Sequence, residues 1–190
     1  MPEQEEQLKG GNTAESVVRL GTTVRKPVTP STPAVHLFLA HLRALGFEAS
    51  PNAFGLDEQG RQILEFVDGP TWQSGAPHTE AELHRVGTLI RTLHDTAVSF
   101  QAPEWAQWNV RYEPDEHDLI CHNDLAPWNL ICGADQWVFI DWDAAAPATR
   151  LWDLAWASIS FPPFEPECDL PKAARAMCSA RSFVPARLLV

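Results

Sequence analysis

Residues 119–141 of this 190-residue chain have the sequence LICHNDLAPWNLICGADQWVFID, and this stretch decides what fold and chemistry to expect. Within it two short apolar runs, 129–132 and 136–140, flank a Gly-Ala-Asp turn, which predicts a β-hairpin. Asn129 enters the hairpin and Asp141 leaves it. Because the two open ends of a hairpin are neighbours, the side chains of Asn129 and Asp141 are expected to lie close together.

Asp124 lies five residues before Asn129, on a loop that Pro127 restricts. Phosphoryl transfer needs few protein groups: the phosphoryl group must be positioned, its charge neutralised by Mg²⁺, and the acceptor hydroxyl oriented by a base. Amide and carboxylate oxygens are suitable Mg²⁺ ligands. The spacing therefore predicts Asn129 and Asp141 as metal ligands and Asp124 as the catalytic base, as in the kinase pattern His-x-Asp, four residues, Asn, and then a second aspartate.

Three segments resemble the motifs of a known family: HNDLAPWN at 122–129, FIDWD at 139–143 and LWDLA at 151–155. They are similar to the H-G-D-x-x-x-x-N, I-D-[FW] and D-L-A motifs of the aminoglycoside phosphotransferase and choline kinase superfamily. The resemblance extends over about residues 8–164. It implies a protein-kinase-like fold, a nucleoside triphosphate donor, Mg²⁺ and a small hydroxyl-bearing acceptor. It also implies that Asp153 braces the catalytic loop and does not react.

The expected fold class is α+β, in the bilobal arrangement that the resemblance implies. Residues 1–69 are expected to form a nucleotide-binding N-lobe, which is a small antiparallel sheet with one helix. Residues 70–190 are expected to form a mainly helical C-lobe that carries the catalytic loop, the metal site and the β-hairpin. Turn signals between short alternating runs favour the sheet, and a capping box at Thr79 predicts the start of a helix in the second half.

The resemblance also implies phosphate contacts in the N-lobe. Gly10 and Gly11 would form the loop over the phosphates, where missing side chains let backbone N–H groups approach. The cation on the following strand is Arg25 or Lys26, because strand alternation places only one of them in the cleft. Arg25 is favoured because Val24 then faces the helix side, and Lys26 stays the alternative.

The hinge between the lobes would be Glu65-Phe66-Val67. Backbone groups at Glu65 and Val67, and not their side chains, are expected to bind the base of the nucleotide. For this reason the sequence does not distinguish ATP from GTP as the donor.

Several features depart from the family's pattern. The helix predicted at 34–45 contains no acidic residue to pair with the strand cation, and Asn123 replaces the usual glycine. Asn tolerates a positive φ better than most residues, so the loop backbone can still be left-handed there. His94 is expected to bond to a carbonyl at its helix end. The segment 166–190 is atypical, because relatives generally continue with further helices, and a shortened C-terminus with an incomplete acceptor pocket is expected.

The composition is globular, with 45% hydrophobic and 21% charged residues. A formal net charge of −11 argues against nucleic acid or an anionic membrane surface as the main partner, and is compatible with a cationic acceptor. None of the four cysteines belongs to a C-x-x-C pair, so neither a zinc site nor a redox dithiol is predicted. The acidic N-terminus and the lack of a long apolar run predict a cytoplasmic protein.

The main hypothesis is a small-molecule kinase that transfers the terminal phosphate of ATP or GTP to a hydroxyl of an aminoglycoside-, choline- or amino-alcohol-like acceptor. The alternative is a catalytically inactive nucleotide-binding protein with an incomplete acceptor pocket. A metal-dependent hydrolase is disfavoured, because hydrolases usually cluster more His and Asp ligands than this motif contains.

Overall fold

The structure of the chain is a computed structural model, which describes residues 5–8, 17–72, 79–111, 113 and 116–161. The predicted phosphate loop at Gly10 and Gly11 and the atypical segment 166–190 lie outside the described residues. The elements of the described part are nine β-strands, three α-helices and two short 3₁₀ turns.

The first half of the chain forms a five-stranded antiparallel sheet. Its strands are β1 (Glu6–Gln7), β2 (Val18–Leu20), β3 (Thr23–Lys26), β4 (Ala53–Leu56) and β5 (Gln62–Glu65). The strand order is β1-β2-β3-β5-β4. Gly21 turns the chain between β2 and β3 with φ 59°, a left-handed value that glycine adopts at low cost. In this order β3, which carries Arg25 and Lys26, is the central strand of the sheet.

Two helices each bury a row of apolar side chains in the same hydrophobic core. They are α1 (Thr32–Ala44) and α2 (Glu80–Ala97). The predicted capping box starts α2, since the Thr79 hydroxyl accepts a hydrogen bond from the Glu82 N–H at 3.2 Å and the Glu82 carboxylate accepts one from the Thr79 N–H at 2.8 Å. The buried residues of the two stripes include Val35, Phe38, Leu39, Leu42, Leu83, Val86, Ile90 and Leu93.

The second half of the chain contains two short strand pairs and a helix. Strand β6 (Leu119–Cys121) pairs with β9 (Ala146–Ala148), and β7 (Leu130–Cys132) pairs with β8 (Trp137–Phe139). Helix α3 (Arg150–Ser160) follows β9 directly. The strands are almost wholly buried. The second pair is the predicted hairpin, and the first pair and α3 were not predicted.

The predicted α+β class, a small antiparallel sheet with helices, is confirmed. The division into lobes at residues 69 and 70 stays a prediction. Among the described residues no helix has the length and apolarity needed to cross a membrane.

Candidate active site

The hairpin brings the backbone of Asn129 next to Asp141. Leu130 pairs with Phe139 in the β7–β8 register, and the Ile140 N–H donates to the Asn129 carbonyl at 2.8 Å. Asn129 ends a 3₁₀ turn that Pro127 begins, and Asp141 follows Ile140 directly. The two predicted metal ligands therefore emerge from adjacent points at the open end of one hairpin.

Asp124 is joined to Asn129 by side-chain hydrogen bonds. The Asn129 Nδ2 donates to Asp124 Oδ2 and to the Asp124 carbonyl, each at 3.0 Å. Asn129 is only 5% exposed, so its amide orientation is fixed by these partners. Because the amide nitrogen is committed to Asp124, the amide oxygen Oδ1 is the atom that Asn129 can offer to a metal ion.

His122 connects the catalytic loop, residues 122–129, to the hairpin. Its Nδ1 accepts the Asp124 N–H at 3.2 Å, and its Nε2 contacts the Ile140 carbonyl at 3.1 Å. These partners require the proton on Nε2 and a lone pair on Nδ1. Burial lowers the pKa of His122, against the opposing attraction of Asp153 and Asp124, which agrees with a neutral ring. His122 is thus a scaffold between the two halves of the site.

Asp153 on α3 holds the backbone of the loop from below. Its Oδ1 accepts the Asn123 N–H at 2.9 Å and its Oδ2 accepts the His122 N–H at 3.3 Å. Asn123 adopts a left-handed backbone with φ 61°, as expected for an Asn in a glycine position. Its side chain donates to the carbonyls of Ala144 and Ala146 at 3.2 Å each, which stabilises this conformation.

A lysine cluster, formed by Lys26, Asp141 and Asp143, lies at the open end of the hairpin. Lys26 Nζ is 2.7 Å from Asp141 Oδ1 and 2.6 Å from Asp143 Oδ2. Burial would lower the pKa of Lys26, but the two carboxylates outweigh it and the pKa is raised. Asp141 has φ 60° and ψ 64°, so its backbone turns sharply where β8 ends. A charged ammonium therefore bridges the two carboxylates.

The structure corrects the preference for Arg25 as the cation that faces the hairpin. Arg25 lies on the other side of β3, where its Nη1 donates to Thr23 Oγ1 at 2.6 Å and its Nε is 3.4 Å from Asp57 Oδ2. Successive residues of a strand face opposite sides of the sheet, so Lys26 takes the hairpin side. The sequence analysis did not consider Asp57 in the turn between β4 and β5, whose carboxylate pairs with Arg25 on the side of β3 away from the hairpin.

The predicted hinge lies at the other end of the hairpin. Glu65 and Val67 line a cleft of about 280 Å³ together with residues of the hairpin turn such as Gly133. The Glu65 carboxylate accepts the backbone and side-chain N–H groups of Asn52 at 3.0 and 2.7 Å, so it is occupied in the sheet. Val67 makes no backbone–backbone hydrogen bond with any described residue.

The donor atoms at the open end of the hairpin fit Mg²⁺. Asn129 Oδ1 and the carboxylates of Asp141 and Asp143 are oxygen ligands of the kind that this ion prefers. The Lys26 ammonium shows that a cation is already favoured between the two carboxylates. Of these residues, Asp143 and Lys26 had weaker support from the sequence than Asn129 and Asp141.

Residues 103–187 match the model of the phosphotransferase enzyme family, a range that includes the catalytic loop, the hairpin and Asp153. The predicted resemblance is confirmed. The chain is also similar to a characterised protein, the trifolitoxin immunity protein of Rhizobium leguminosarum bv. trifolii. The two are 36% identical over 154 residues, which is 78% of this chain. The chain spans 58% of the length of that relative.

Solved kinases share the fold of this chain. A microcompartment-associated aminopropanol kinase has a TM-score of 0.68 and 14% identity, over 97% of this chain and 77% of that one. Amicoumacin kinase in complex with AMP-PNP and Ca²⁺ has a TM-score of 0.67 and 11% identity, over 95% of this chain and 72% of that one. At these identities the likeness establishes the kinase-like fold and leaves the substrate open.

Proposed function

We propose that this chain transfers the terminal phosphoryl group of a nucleoside triphosphate to a hydroxyl group of a small molecule. The observation that carries the proposal is the pair of contacts made by Asn129. Its side chain donates to Asp124 Oδ2 at 3.0 Å, while its backbone carbonyl accepts the N–H of Ile140, the neighbour of Asp141, at 2.8 Å. Asn129 thereby connects the proposed base, Asp124, to the proposed metal ligand Asp141, and is itself the second proposed ligand. Phosphoryl transfer requires a base and metal ligands held close together in this way.

Asp124 is proposed as the base. Its Oδ2 is occupied by Asn129, which leaves Oδ1 to accept a hydrogen bond from the acceptor hydroxyl. In the transfer, the hydroxyl proton passes to Asp124 and the acceptor oxygen bonds to the γ-phosphorus. The bond from this phosphorus to the bridging oxygen breaks, and a nucleoside diphosphate leaves. The hydrogen bonds of His122 and Asp153 hold the loop so that Asp124 needs no rearrangement during this step.

Asn129 and Asp141 are proposed to hold Mg²⁺, with Asp143 beside them. Bound there, Mg²⁺ would neutralise the charge of the phosphates. Lys26 would then leave its carboxylate partners and contact a phosphate oxygen, as a flexible point charge can. The sequence assigned the phosphate loop to Gly10 and Gly11, and that assignment stays a prediction.

The backbone of the hinge is proposed to bind the base. The N–H and the carbonyl of Val67 have no backbone partner among the described residues, and Glu65 supports the strand end through Asn52. The three-residue strands β7 and β8 separate this hinge end from Asp141 by roughly 10 Å, at about 3.4 Å per residue. This separation suits a nucleotide with its base at the hinge and its phosphates at the lysine cluster. Either ATP or GTP could be bound in this way.

The acceptor is proposed to be an antimicrobial compound or an amino alcohol. The relative that is 36% identical is named for immunity to a toxin. The net charge of −11 favours an acceptor that carries positive charge. Phosphorylation would add negative charge to such a compound and change what it can bind.

The experiment that tests this function measures nucleotide binding and phosphoryl transfer separately. The purified chain is titrated with Mg²⁺ and ATP or GTP, and turnover is followed over a panel of aminoglycosides, amino alcohols and toxins. Asp124→Asn is expected to lower kcat by about 1,000-fold, the range lost with a general base, while the nucleotide Kd changes by less than about threefold. Asp118→Asn, an exposed carboxylate just before β6, is the matched control and is expected to retain wild-type turnover.

Two outcomes would contradict the proposal. Wild-type turnover in Asp124→Asn would remove this residue from the role of base. Tight Mg²⁺-dependent nucleotide binding with no turnover on any acceptor would favour the inactive nucleotide-binding protein instead.

A further inference from the structure

Trp128 is the exposed residue of a catalytic loop that is otherwise largely buried. Its relative exposure is 42%, whereas every other residue of 122–129 is buried except Asn123 and Asp124, which are partly exposed. The indole forms no hydrogen bond and no ring contact with another described residue. Single exposed apolar side chains are ordinary on protein surfaces, so it is the place of Trp128 in the site that calls for a role.

The backbone on both sides of Trp128 is fixed. The Pro127 carbonyl accepts the Trp72 N–H at 3.2 Å, and the Asn129 N–H donates to the Ala126 carbonyl at 3.0 Å. Successive side chains of a 3₁₀ turn project about 120° apart, because the turn has three residues. Pro127 and Asn129 are buried, so the indole takes the direction that faces solvent. A ligand would therefore meet a ring whose attachment is already ordered, at a low cost in conformational entropy.

Trp128 is also close to the proposed chemistry. It is the chain neighbour of Asn129, with consecutive Cα atoms about 3.8 Å apart, and Asn129 Nδ2 is 3.0 Å from Asp124 Oδ2. A small molecule whose hydroxyl lies on Asp124 can therefore place its other atoms against the indole. Trp128 precedes the hairpin at its open end, whereas the base of the nucleotide is proposed to lie at the hinge end. The position thus favours the acceptor over the nucleotide base as the partner of the ring.

The charges at this end of the hairpin are mostly negative. The carboxylates of Asp124, Asp141 and Asp143 outnumber the single ammonium of Lys26. The face of an indole ring is negative as well, and it attracts a cation that lies within about 6 Å of the ring centre. Ring and carboxylates therefore favour the same kind of ligand, one that carries positive charge.

We propose that Trp128 binds the acceptor and selects a positively charged one, with the indole against the cationic group while the acceptor hydroxyl lies on Asp124. The inference rests on the proposed function and names the residue that distinguishes charged from uncharged acceptors. No bond forms or breaks at Trp128. Its loss should therefore weaken acceptor binding and leave nucleotide binding unchanged.

The first experiment detects the contact without requiring turnover. The chain is labelled with 5-fluorotryptophan, and the ¹⁹F resonances of Trp128 and Trp137 are assigned by their loss in the Phe variants. Choline, 1-amino-2-propanol and kanamycin are then added in turn, with Mg²⁺ and AMP-PNP present. At least one of these cationic alcohols is expected to shift the Trp128 resonance saturably, with a Kd below about 1 mM. The resonance of Trp137, near the hairpin turn, should stay unchanged.

The second experiment tests the selection of charge. Each cationic probe is compared with an uncharged counterpart, which is 3,3-dimethyl-1-butanol for choline, 1,2-propanediol for the amine and fully N-acetylated kanamycin for the antibiotic. By isothermal titration the charged member of the binding pair is expected to bind at least about tenfold more tightly to the wild type. The difference should fall below about threefold in Trp128→Leu and be intermediate in Trp128→Phe. Trp156→Leu, at a tryptophan of similar exposure on α3, is the matched control and should keep the full difference.

The outcomes separate this inference from the proposed function. If the probes shift the Trp128 resonance but the wild type transfers no phosphate, the phosphotransferase proposal fails and the role of Trp128 stands. No shift with any of the three probes would overturn that role. A charge preference that persists in Trp128→Leu would overturn it too, even if the Tm is lower, as would a change in the Kd of AMP-PNP alone. If Trp128→Leu does not fold, the wild-type resonance and Trp128→Phe decide.

Discussion

The catalytic loop and the lysine cluster flank one hairpin, but they are held in different ways. On the loop side His122, Asn129 and Asp153 are at most 5% exposed, and hydrogen bonds in the interior hold them. In the lysine cluster the side chains of Lys26 and Asp141 are 20% and 43% exposed, and ion pairs hold them. Breaking a buried hydrogen bond leaves a polar group without water, whereas exposed ion pairs are typically worth about 1 kcal/mol or less.

The two regions therefore suit two different roles, a fixed base and an exchangeable cation. Asp124, the proposed base, is held in place before any ligand arrives, because rearranging its loop would leave several buried groups unpaired. The cation position is proposed to be exchangeable, with an incoming ion taking the place of the Lys26 ammonium between the two carboxylates. The comparison leads to predictions in which the two regions respond differently to the same kind of change.

The largest effect is expected for Asp141→Asn. Removing one charged oxygen ligand should weaken Mg²⁺-dependent nucleotide binding by about 100-fold, since a metal contact to charge contributes several kcal/mol. The loop should be unaffected, so the amide exchange of Asn123 should stay at the wild-type rate. Isothermal titration with and without Mg²⁺ measures the first quantity. Unchanged Mg²⁺ dependence would show that Asp141 is not a ligand, and Asp118→Asn again controls for the loss of one negative charge.

A smaller effect, of about tenfold in kcat/KM, is expected for Lys26→Met, because one phosphate contact is lost. The same variant should bind Mg²⁺ alone more tightly, by about twofold or more, since the competing ammonium is gone. Arg25→Met is the matched comparison, because Arg25 lies on the same strand and faces Asp57. It should lower the Tm and leave kcat/KM close to wild type. The reverse pattern would restore Arg25 as the phosphate cation.

The smallest effect concerns the pH dependence of stability. Burial lowers the pKa of His122 below its ordinary 6.5, so the unfolded chain takes up a proton at a higher pH than the folded chain does. The free energy of unfolding is therefore expected to be constant above pH 6.5 and to fall as the pH is lowered below it. Burial lowers the pKa of His36 in the same direction, against the opposing effect of the hydrogen bond that His36 Nε2 donates to Gln62 Oε1.

Urea unfolding between pH 7.5 and 5.5 measures this dependence. His122→Gln should reduce the slope and leave the contribution of His36. A slope that is identical in the wild type and the variant would mean that His122 is not held neutral by the loop.

The elements around the site that were predicted correctly are local in the sequence. The hairpin and the capping box at Thr79 depend on residues that are near one another along the chain, so their patterns suffice. The Asn129 carbonyl accepts the N–H of Ile140, the neighbour of Asp141, because the two ends of a hairpin lie side by side. The left-handed backbone at Asn123 likewise follows from one substitution in a motif.

The parts that were missed depend on contacts between distant residues. Which of Arg25 and Lys26 faces the hairpin was decided by Asp57 in another turn, and alternation alone gives no preference. His94 bonds to the side chain of Asp153 and not to a carbonyl, and Asp153 lies 59 residues away on a helix that the sequence did not predict. Strand β9 has the sequence Ala-Pro-Ala, which has low β-propensity, and pairs because β6 lies beside it.

The most direct test of the central claim is a crystal structure of the chain with Mn²⁺ in place of Mg²⁺ and a non-hydrolysable triphosphate. The anomalous signal of Mn²⁺ is expected within about 2.0–2.4 Å of Asn129 Oδ1 and of an Asp141 carboxylate oxygen. Lys26 is expected to have moved from the two aspartates to a phosphate oxygen, with Asp124 unmoved. A metal ion bound elsewhere, or Asn129 pointing away from it, would contradict the account.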